Sequence, residues 1–142
     1  MNYTLNDFRS THNLINQYIN KTPIISSKTF SDKLDLDLFF KLELFQKTGS
    51  FKVRGTLNKL LKLSDIEKQK GIITISAGNH AQAVSWACSN FNVKSKIVMP
   101  YGASKSKVEA TKSYGGDVIL TKDPIMDKCC LLYTSPSPRD NR

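Results

Sequence analysis

The apolar positions in the second half of the chain alternate between short continuous runs and helix-like stripes. The runs cover residues 71–75, 96–99 and 117–120, and the stripes between them cover residues 79–90 and 104–114. A short run of this kind is typical of a buried strand, whereas apolar residues three or four positions apart are typical of a helix. The order strand, helix, strand, helix, strand predicts βαβ crossovers in a parallel sheet. Because ligands bind at the carboxyl ends of such strands, we expect chemistry in the turn that follows the first run.

The first half of the chain follows a less regular pattern. We predict a helix over residues 6–20, a short polar segment over 29–33, a strand over 36–44, a loop over 46–50 and a helix over 51–63. Thr22 and Pro23 stop the first helix, because proline disfavours helical backbone in the residue before it. Ser64 and Glu67 have the spacing of a capping box, which marks the start of a helix.

Length and composition place the chain among globular proteins. With 142 residues, of which 39% are hydrophobic and 23% are charged, it has room for one domain and a modest core. No apolar run approaches the roughly 20 residues that a membrane span needs. The N-terminus has no basic cluster followed by an apolar block, as a leader sequence has. We therefore expect no membrane association, and a cytoplasmic location is the default prediction.

Charge and cysteine content exclude two further classes. The formal net charge of +9 comes from lysines that stand singly or in pairs beside acidic or apolar residues. A nucleic-acid binder concentrates such charges in a stripe, so no nucleic-acid partner is expected. The cysteines Cys88, Cys129 and Cys130 are odd in number and two are adjacent. This pattern fits neither a disulfide framework nor a zinc site, and we expect no metal.

The end of the chain has a different character. The segment from Cys130 to Asp140 reads Cys-Leu-Leu-Tyr-Thr-Ser-Pro-Ser-Pro-Arg-Asp and follows neither period. It matches the translation of a transposon end and adapter used to prepare sequencing libraries. We therefore interpret residues 130–142 as an artefactual tail, to be left out of fold reasoning like an engineered scar. On this interpretation the chain is the N-terminal part of a longer protein; a disordered natural tail is the alternative.

Two stretches carry residues suited to covalent and anion-binding chemistry. Lys52 follows a Gly/Ser loop and Phe51 at the start of a predicted helix, with no carboxylate in its own loop. A helix N-terminus favours the uncharged amine that a Schiff-base lysine needs. In the second stretch, the backbone N–H groups of Gly78, Asn79 and His80 begin the helix over 79–90 and offer a cradle to an anion. An amine and an anion cradle together suit an amino-acid substrate on an aldehyde cofactor.

Each stretch also has an ordinary interpretation. A lysine in the first turn of a helix is usually a surface residue, and a strand–turn–helix junction with Gly and Asn is usually a capped corner. His80 by itself fits a cap or the surface better than a catalytic base. The loop before Lys52 lacks the spacing of a phosphate loop. The occurrence of both stretches in one chain favours the functional interpretation.

Together the two stretches resemble the fold-type II pyridoxal-phosphate enzymes of the tryptophan-synthase-β class, and within it the threonine dehydratase and serine racemase branch. The resemblance covers about residues 5–123 and rests on Ser50-Phe-Lys-x-Arg-Gly55, Ser76-Ala-Gly-Asn-His80 and Met99-Pro-Tyr-Gly-Ala-Ser-Lys-Ser-Lys-Val108. It implies a three-layer α/β fold with a parallel sheet of βαβ units, incomplete in this chain. In family terms, residues 1–70 begin the large cofactor-binding domain and residues 71–129 form most of the small parallel-sheet domain.

The resemblance also implies roles for the motif residues. Lys52 would be the cofactor-linked lysine and the base that moves the α-proton, Phe51 would pack near the cofactor, and Asn79 would hydrogen-bond the pyridoxal hydroxyl. The substrate carboxylate would be held by Ser76, Ala77, Gly78, Asn79 and His80. The implied cofactor is pyridoxal 5'-phosphate, but the family's Gly-rich phosphate loop and the partner of its ring nitrogen lie beyond this sequence.

The implied reaction removes ammonia from L-threonine or L-serine and leaves a 2-oxo acid. In the racemases of this branch, a serine just before the Gly-Asn pair supplies a second base, and this chain has Ala77 there. Alanine cannot transfer a proton, so the dehydratase is favoured over the serine racemase. A β-replacement enzyme similar to a cysteine synthase and a non-catalytic α/β binding module also stay open. We expect the intact protein to be a homo-oligomer, as the family is, and the present chain to be inactive.

Overall fold

The structure is a computed structural model and describes residues 3–122. Its helices are α1 (Leu5–Ile15), α2 (Lys28–Leu34), α3 (Lys52–Leu61), α4 (Asp65–Lys70), α5 (Asn79–Asn90) and α6 (Lys105–Ser113). Its strands are β1 (Ile24–Ser26), β2 (Phe39–Lys41), β3 (Ile72–Ile75), β4 (Ser95–Pro100) and β5 (Asp117–Thr121). Single turns of 3₁₀ helix cover Asn16–Tyr18, Glu43–Phe45 and Lys47–Gly49. The predicted tail over residues 130–142 lies outside the described residues.

The second half of the chain forms the predicted parallel sheet. The strand order is β3, β4, β5, and both neighbouring pairs are parallel. In the register, Ile73 pairs with Lys96, and Lys96 pairs in turn with Asp117. α5 connects β3 to β4, and α6 connects β4 to β5. The α/β class and the βαβ connections are therefore confirmed.

The two faces of this sheet differ in burial. On β4, Ser95, Ile97 and Met99 are buried, whereas Lys96 and Pro100, which point to the opposite face, are exposed. Because α5 packs against β3, β4 and α6, the helices cover the face that holds Ile97. Within residues 3–122 the opposite face is largely open, and the third layer of the predicted arrangement stays a prediction.

The hydrophobic core connects the two halves of the chain. α3 packs along α5, and α1 packs against α3. The core residues are Ile15, Val53, Leu57, Leu60, Ala81, Ala83, Val84, Ala87, Cys88, Val93, Ile97 and Met99. Burying each large aliphatic side chain contributes about 1.5–3 kcal/mol. Since this core continues from α3 into α5, it crosses residue 70, and the predicted division into two domains stays a prediction.

The predicted helix signals act as expected in α4 and α5. At the start of α4, Ser64 Oγ accepts from the Glu67 backbone N–H at 3.3 Å, and Glu67 Oε2 accepts from the Ser64 N–H at 2.8 Å. This reciprocal pair is the predicted capping box. α5 has the bounds predicted from its apolar stripe.

The first half differs from the predictions at three places. The helix predicted over 6–20 ends at Ile15 and is followed by the 3₁₀ turn over Asn16–Tyr18. The segment over 29–33 is not an isolated polar segment but lies in α2, where Ser27 Oγ accepts from the Phe30 N–H at 3.5 Å. Seven residues are too few for a helical period to emerge from the sequence. The strand predicted over 36–44 is confined to β2, which pairs antiparallel with β1. We call β1, α2 and β2 the ribbon, and many of its apolar side chains, including Ile24 and Phe39, are exposed.

Neither a membrane span nor a metal cluster is found in the part of the chain that the structure describes. No helix there is long and apolar enough to cross a membrane. No group of three or more His, Cys, Asp or Glu side chains there could hold a metal ion.

Candidate active site

Lys52 is the first residue of α3, as predicted, and its side chain is exposed. The Nζ atom lies 5.0 Å from the centroid of the Phe51 ring, which is itself 58% exposed. Among residues 3–122, no hydrogen bond or ion pair engages this amine. The amine is therefore accessible to a small molecule, and an aromatic ring lies beside it.

The turn between β3 and α5 holds the second predicted group of residues. The Ser76 N–H donates to the Val98 carbonyl at 3.1 Å, which fixes the turn to the central strand. The Gly78 N–H donates to Ser76 Oγ at 3.3 Å. One of the three N–H groups predicted for anion binding therefore already has an acceptor, and those of Asn79 and His80 begin α5.

The start of α5 has room for a ligand. In the described part of the chain, no side chain caps this helix. A Cβ atom on Gly78 would meet no atom within 4 Å, so the space in front of the helix is open. The N-terminal N–H groups of a helix lack intrahelical partners and carry partial positive charge, which suits an anionic group. Pyridoxal phosphate and the carboxylate of an amino acid are anions of this kind, and the residues present fit them.

A cavity of about 710 Å³ connects the two predicted stretches. It extends along α3 and past α4 to β3, and Lys52, Phe51 and His80 all contribute to its wall. Such a volume is in the usual range for small-molecule sites. Ser76, Ala77, Gly78 and Asn79 are not among the lining residues. The structure thus brings Lys52 and His80 to one cavity, whereas the implied contacts of the other turn residues stay predictions.

His80 is held in its neutral form by its surroundings. Burial lowers the pKa of the imidazole below its usual value, and the positive charge of Lys52 lowers it further. A neutral imidazole has one nitrogen that donates and one that accepts a hydrogen bond. Neutral His80 can therefore accept a hydrogen bond near Lys52 without adding a second positive charge there.

Sequence reasoning missed the ion pair between Arg54 and Glu43. Arg54 Nε donates to Glu43 Oε2 and its NH2 group donates to Oε1, both at 2.8 Å. The pair is partly buried, with 28% of the Arg54 side chain and 17% of the Glu43 side chain exposed. Arg54 is part of the quoted lysine motif, but no periodicity links it to an acid in a separate segment.

Known proteins are similar to this chain over most of its length. Residues 15–132 match the sequence pattern of the family "Pyridoxal-phosphate dependent enzyme". Serine racemase of Schizosaccharomyces pombe is 43% identical over 117 residues, which cover 82% of this chain and 36% of the relative. The catabolic L-threonine dehydratase of Escherichia coli K12 is 49% identical over 109 residues, which cover 77% of this chain and 33% of the relative.

A solved structure of a serine racemase has the same fold over most of this chain. The structure of maize serine racemase matches with a TM-score of 0.80 and 39% identity, covering 86% of this chain and 37% of that one. This chain therefore spans about a third of the length of the relatives it matches. The matched pattern covers well over half of the chain, and the relatives exceed 40% identity. The chain belongs to the family of pyridoxal-phosphate dependent enzymes, and pyridoxal phosphate is its cofactor.

Proposed function

We propose that this chain carries the lysine-bearing part of an L-threonine/L-serine ammonia-lyase. The observation that supports it most directly is that Lys52 and His80 line one cavity. The names of the relatives support the same branch of the family, which includes both dehydratases and racemases. An amino-acid substrate, a homo-oligomeric complete protein and a cytoplasmic location belong to the same proposal.

The chain's own residues have distinct parts in this reaction. Pyridoxal phosphate, when bound, supplies an electron-withdrawing ring that makes the α-proton of an attached amino acid acidic. Lys52 would hold the cofactor through Nζ, and once the amino group of the substrate has displaced it, the freed Nζ takes the α-proton. The first N–H groups of α5 hold the substrate carboxylate. The β-hydroxyl group of the substrate leaves with a proton as water, and a second water hydrolyses the remaining imine to a 2-oxo acid and ammonia.

A lyase is favoured over a racemase by Ala77. A racemase needs a second base on the opposite face of the cofactor, and the family resemblance assigns that role to a serine at this position. Ala77 is partly buried against the core and has no group that could carry a proton. Serine racemase remains the second candidate, because relatives with that name are 41–43% identical to this chain.

Reductive trapping tests the role of Lys52. The chain is mixed with pyridoxal phosphate, treated with borohydride, and mapped by peptide mass spectrometry for pyridoxyl-lysine. We expect the label mainly at Lys52, its loss in Lys52→Ala, and its retention in Lys59→Ala. Lys59 is the matched control because it lies on the same helix and lines the same cavity. A label spread evenly over the lysines would contradict the proposal and favour a non-catalytic binding module.

The choice between lyase and racemase needs the remainder of the fold. We suggest joining residues 1–122 to the part of the E. coli dehydratase that lies beyond its matched region. The lyase predicts release of a 2-oxo acid from L-threonine and L-serine without formation of D-serine. Ala77→Ser in the same hybrid should add racemisation if the serine position acts as a base. Release of D-serine by the hybrid with Ala77 would favour the racemase instead, and incorporation of an added thiol would favour the β-replacement enzyme.

A further inference from the structure

We propose that Arg54 is a positioning residue that sets the place of Lys52 by holding Glu43. The inference rests on the proposed role of Lys52. On this proposal, the positive charge of Arg54 pairs with Glu43 to hold the first turn of α3 and does not bind an anionic ligand.

The beginning of α3 lacks a cap of the usual kind. Phe51 occupies the N-cap position and, within the described residues, no side chain caps the helix there. A residue such as Ser or Asp at this position normally accepts from the first N–H groups and fixes the first turn. The position of Lys52 therefore depends on other contacts of that turn.

Arg54 supplies such a contact through the carboxylate of Glu43. Besides the two hydrogen bonds from Arg54, Glu43 Oε1 accepts from Thr22 Oγ1 at 2.6 Å. Lys41 Nζ in turn donates to the Thr22 carbonyl at 2.7 Å. Glu43, which follows β2, thus joins the first turn of α3 to Thr22, which precedes β1. A bidentate, partly buried Arg–carboxylate pair constrains geometry better than an exposed ion pair.

The helical geometry separates Arg54 from the reacting atoms. Residues two positions apart in a helix are about 200° apart around its axis. Lys52 lines the cavity, whereas Arg54 is not among the lining residues. Arg54 therefore acts on Lys52 through the backbone of α3, and its guanidinium is engaged by Glu43.

The same surroundings make the pair sensitive to loss of one partner. The Arg54 guanidinium holds the pKa of Glu43 below its usual value, and the hydrogen bond from Thr22 lowers that pKa further. Removing either charge leaves the other partly buried without its partner, which is costly. A substitution here should therefore loosen the turn that carries Lys52 and leave distant helices unaffected.

The test uses the full 142-residue chain with Glu43→Gln, Arg54→Lys and the reversed pair Glu43→Arg with Arg54→Glu. Glu109→Gln is the matched control, because Glu109 forms an exposed pair with Lys105 at 4.0 Å on α6. Two readouts are compared: amide hydrogen exchange along the chain, and the share of trapped pyridoxyl label at Lys52 relative to Lys59. All measurements are made well below the unfolding midpoint of each variant.

We expect Glu43→Gln and Arg54→Lys to speed exchange in the first turn of α3 about tenfold and to leave α6 unchanged. The share of label at Lys52 should fall about tenfold, because small displacements of a reacting group reduce its rate steeply. The reversed pair should restore part of the slow exchange in α3 and part of the label at Lys52. Uniformly faster exchange in α3, α5 and α6, with an unchanged share at Lys52, would show a merely structural role and overturn the proposal.

The two proposals fail in different ways. Unchanged exchange in α3 and an unchanged share at Lys52 would overturn the positioning role alone. Equal labelling of Lys52 and Lys59 in the unsubstituted chain would contradict the proposed function, and local exchange in α3 would then decide the positioning role by itself.

Discussion

Gly116 lies directly against Ser85, and a methyl group on Gly116 would overlap the Ser85 hydroxyl. The same methyl group would lie 3.1 Å from Ile97 Cγ1, and Ser85 and Ile97 are fully buried. α5 therefore approaches the start of β5 more closely than a side chain at residue 116 allows. We expect Gly116→Ala to lower the free energy of unfolding by about 1–3 kcal/mol in urea denaturation.

Two variants separate this overlap from a general glycine effect. A Cβ on Gly102 would meet no atom within 4 Å, so Gly102→Ala should change stability by less than about 0.5 kcal/mol. Adding Ser85→Ala to Gly116→Ala removes the overlapping hydroxyl and should recover part of the loss. An unfolding midpoint of Gly116→Ala equal to that of the unsubstituted chain would contradict the close approach of α5.

Gly78 should show the opposite behaviour. Its Cβ would enter open space in front of α5, so Gly78→Ala should leave stability within about 0.5 kcal/mol of the parent. The added methyl group would, however, occupy the space that we assign to an anionic ligand. We expect added L-serine to displace less of the pyridoxyl label from Lys52 in Gly78→Ala than in the parent, with an unchanged urea midpoint. Equal displacement in the two chains would show that the substrate carboxylate does not use this space.

Cys88 should be unreactive in the folded chain. It is buried in α5, and burial raises the pKa of its thiol to about 11. The thiolate is the reactive form, so in a chain with Cys129→Ser and Cys130→Ser an aromatic disulfide reagent should label Cys88 at least about tenfold more slowly than in guanidinium. Equal rates in both solvents would place Cys88 outside the core.

The raised pKa of Cys88 also affects stability at alkaline pH. The unfolded thiol, with a pKa of 9.0, ionises first, so this contribution to stability is complete below pH 9 and is lost between pH 9 and about 11. Cys88→Ala should remove this part of the alkaline loss in urea denaturation. A loss that is the same with and without Cys88 would assign it to other groups.

His80 should make the fold sensitive to mild acid. Burial and then the charge of Lys52 lower the pKa of His80 below 6.5, so the unfolded state binds the proton more tightly. Its contribution to stability is therefore complete above pH 6.5 and is lost as pH falls through the lowered pKa. We expect His80→Gln to reduce the fall in urea midpoint between roughly pH 7.5 and pH 5.5. The exposed His12 of α1 is the control position, and His12→Gln is measured in parallel.

The chain of 142 residues should not turn over amino acids by itself. It holds the proposed reactive lysine but spans only about a third of the length of its relatives. We expect no release of 2-oxo acid from L-threonine or L-serine, even with pyridoxal phosphate added, in a coupled dehydrogenase assay. Release that depends on Lys52 would show that this part of the fold suffices.

The sequence predicted those elements whose signals are local. The apolar stripe gave α5 its observed bounds, and Ser64 with Glu67 predicted the start of α4. β1 was missed, and β2 was predicted too long. The two strands pair across separate segments, and all their residues are exposed, so no alternation of buried and exposed positions marks them in the sequence. The pairing of Arg54 with Glu43 was missed for a similar reason, since it depends on how α3 meets the ribbon.

In the site, too, features with a local sequence signal were predicted and features that depend on packing were not. Lys52 at the start of a helix and the turn before α5 could be predicted from residue types and spacing. That His80 lines a cavity with Lys52, while Asn79 does not, depends on the packing of α3 along α5. The use of the Gly78 N–H by Ser76 Oγ is a matter of turn geometry, which the sequence pattern does not contain.

The shared core of α3 and α5 has a consequence for motion. Leu57 and Leu60 on one helix and Val84 on the other belong to the same buried cluster. Tightly packed helices slide past each other only by small amounts in slow collective motions. The distance between Lys52 and His80 should therefore change little in such motions, with no hinge between the two residues. The entry of a substrate then depends on displacement of the segments that surround this pair.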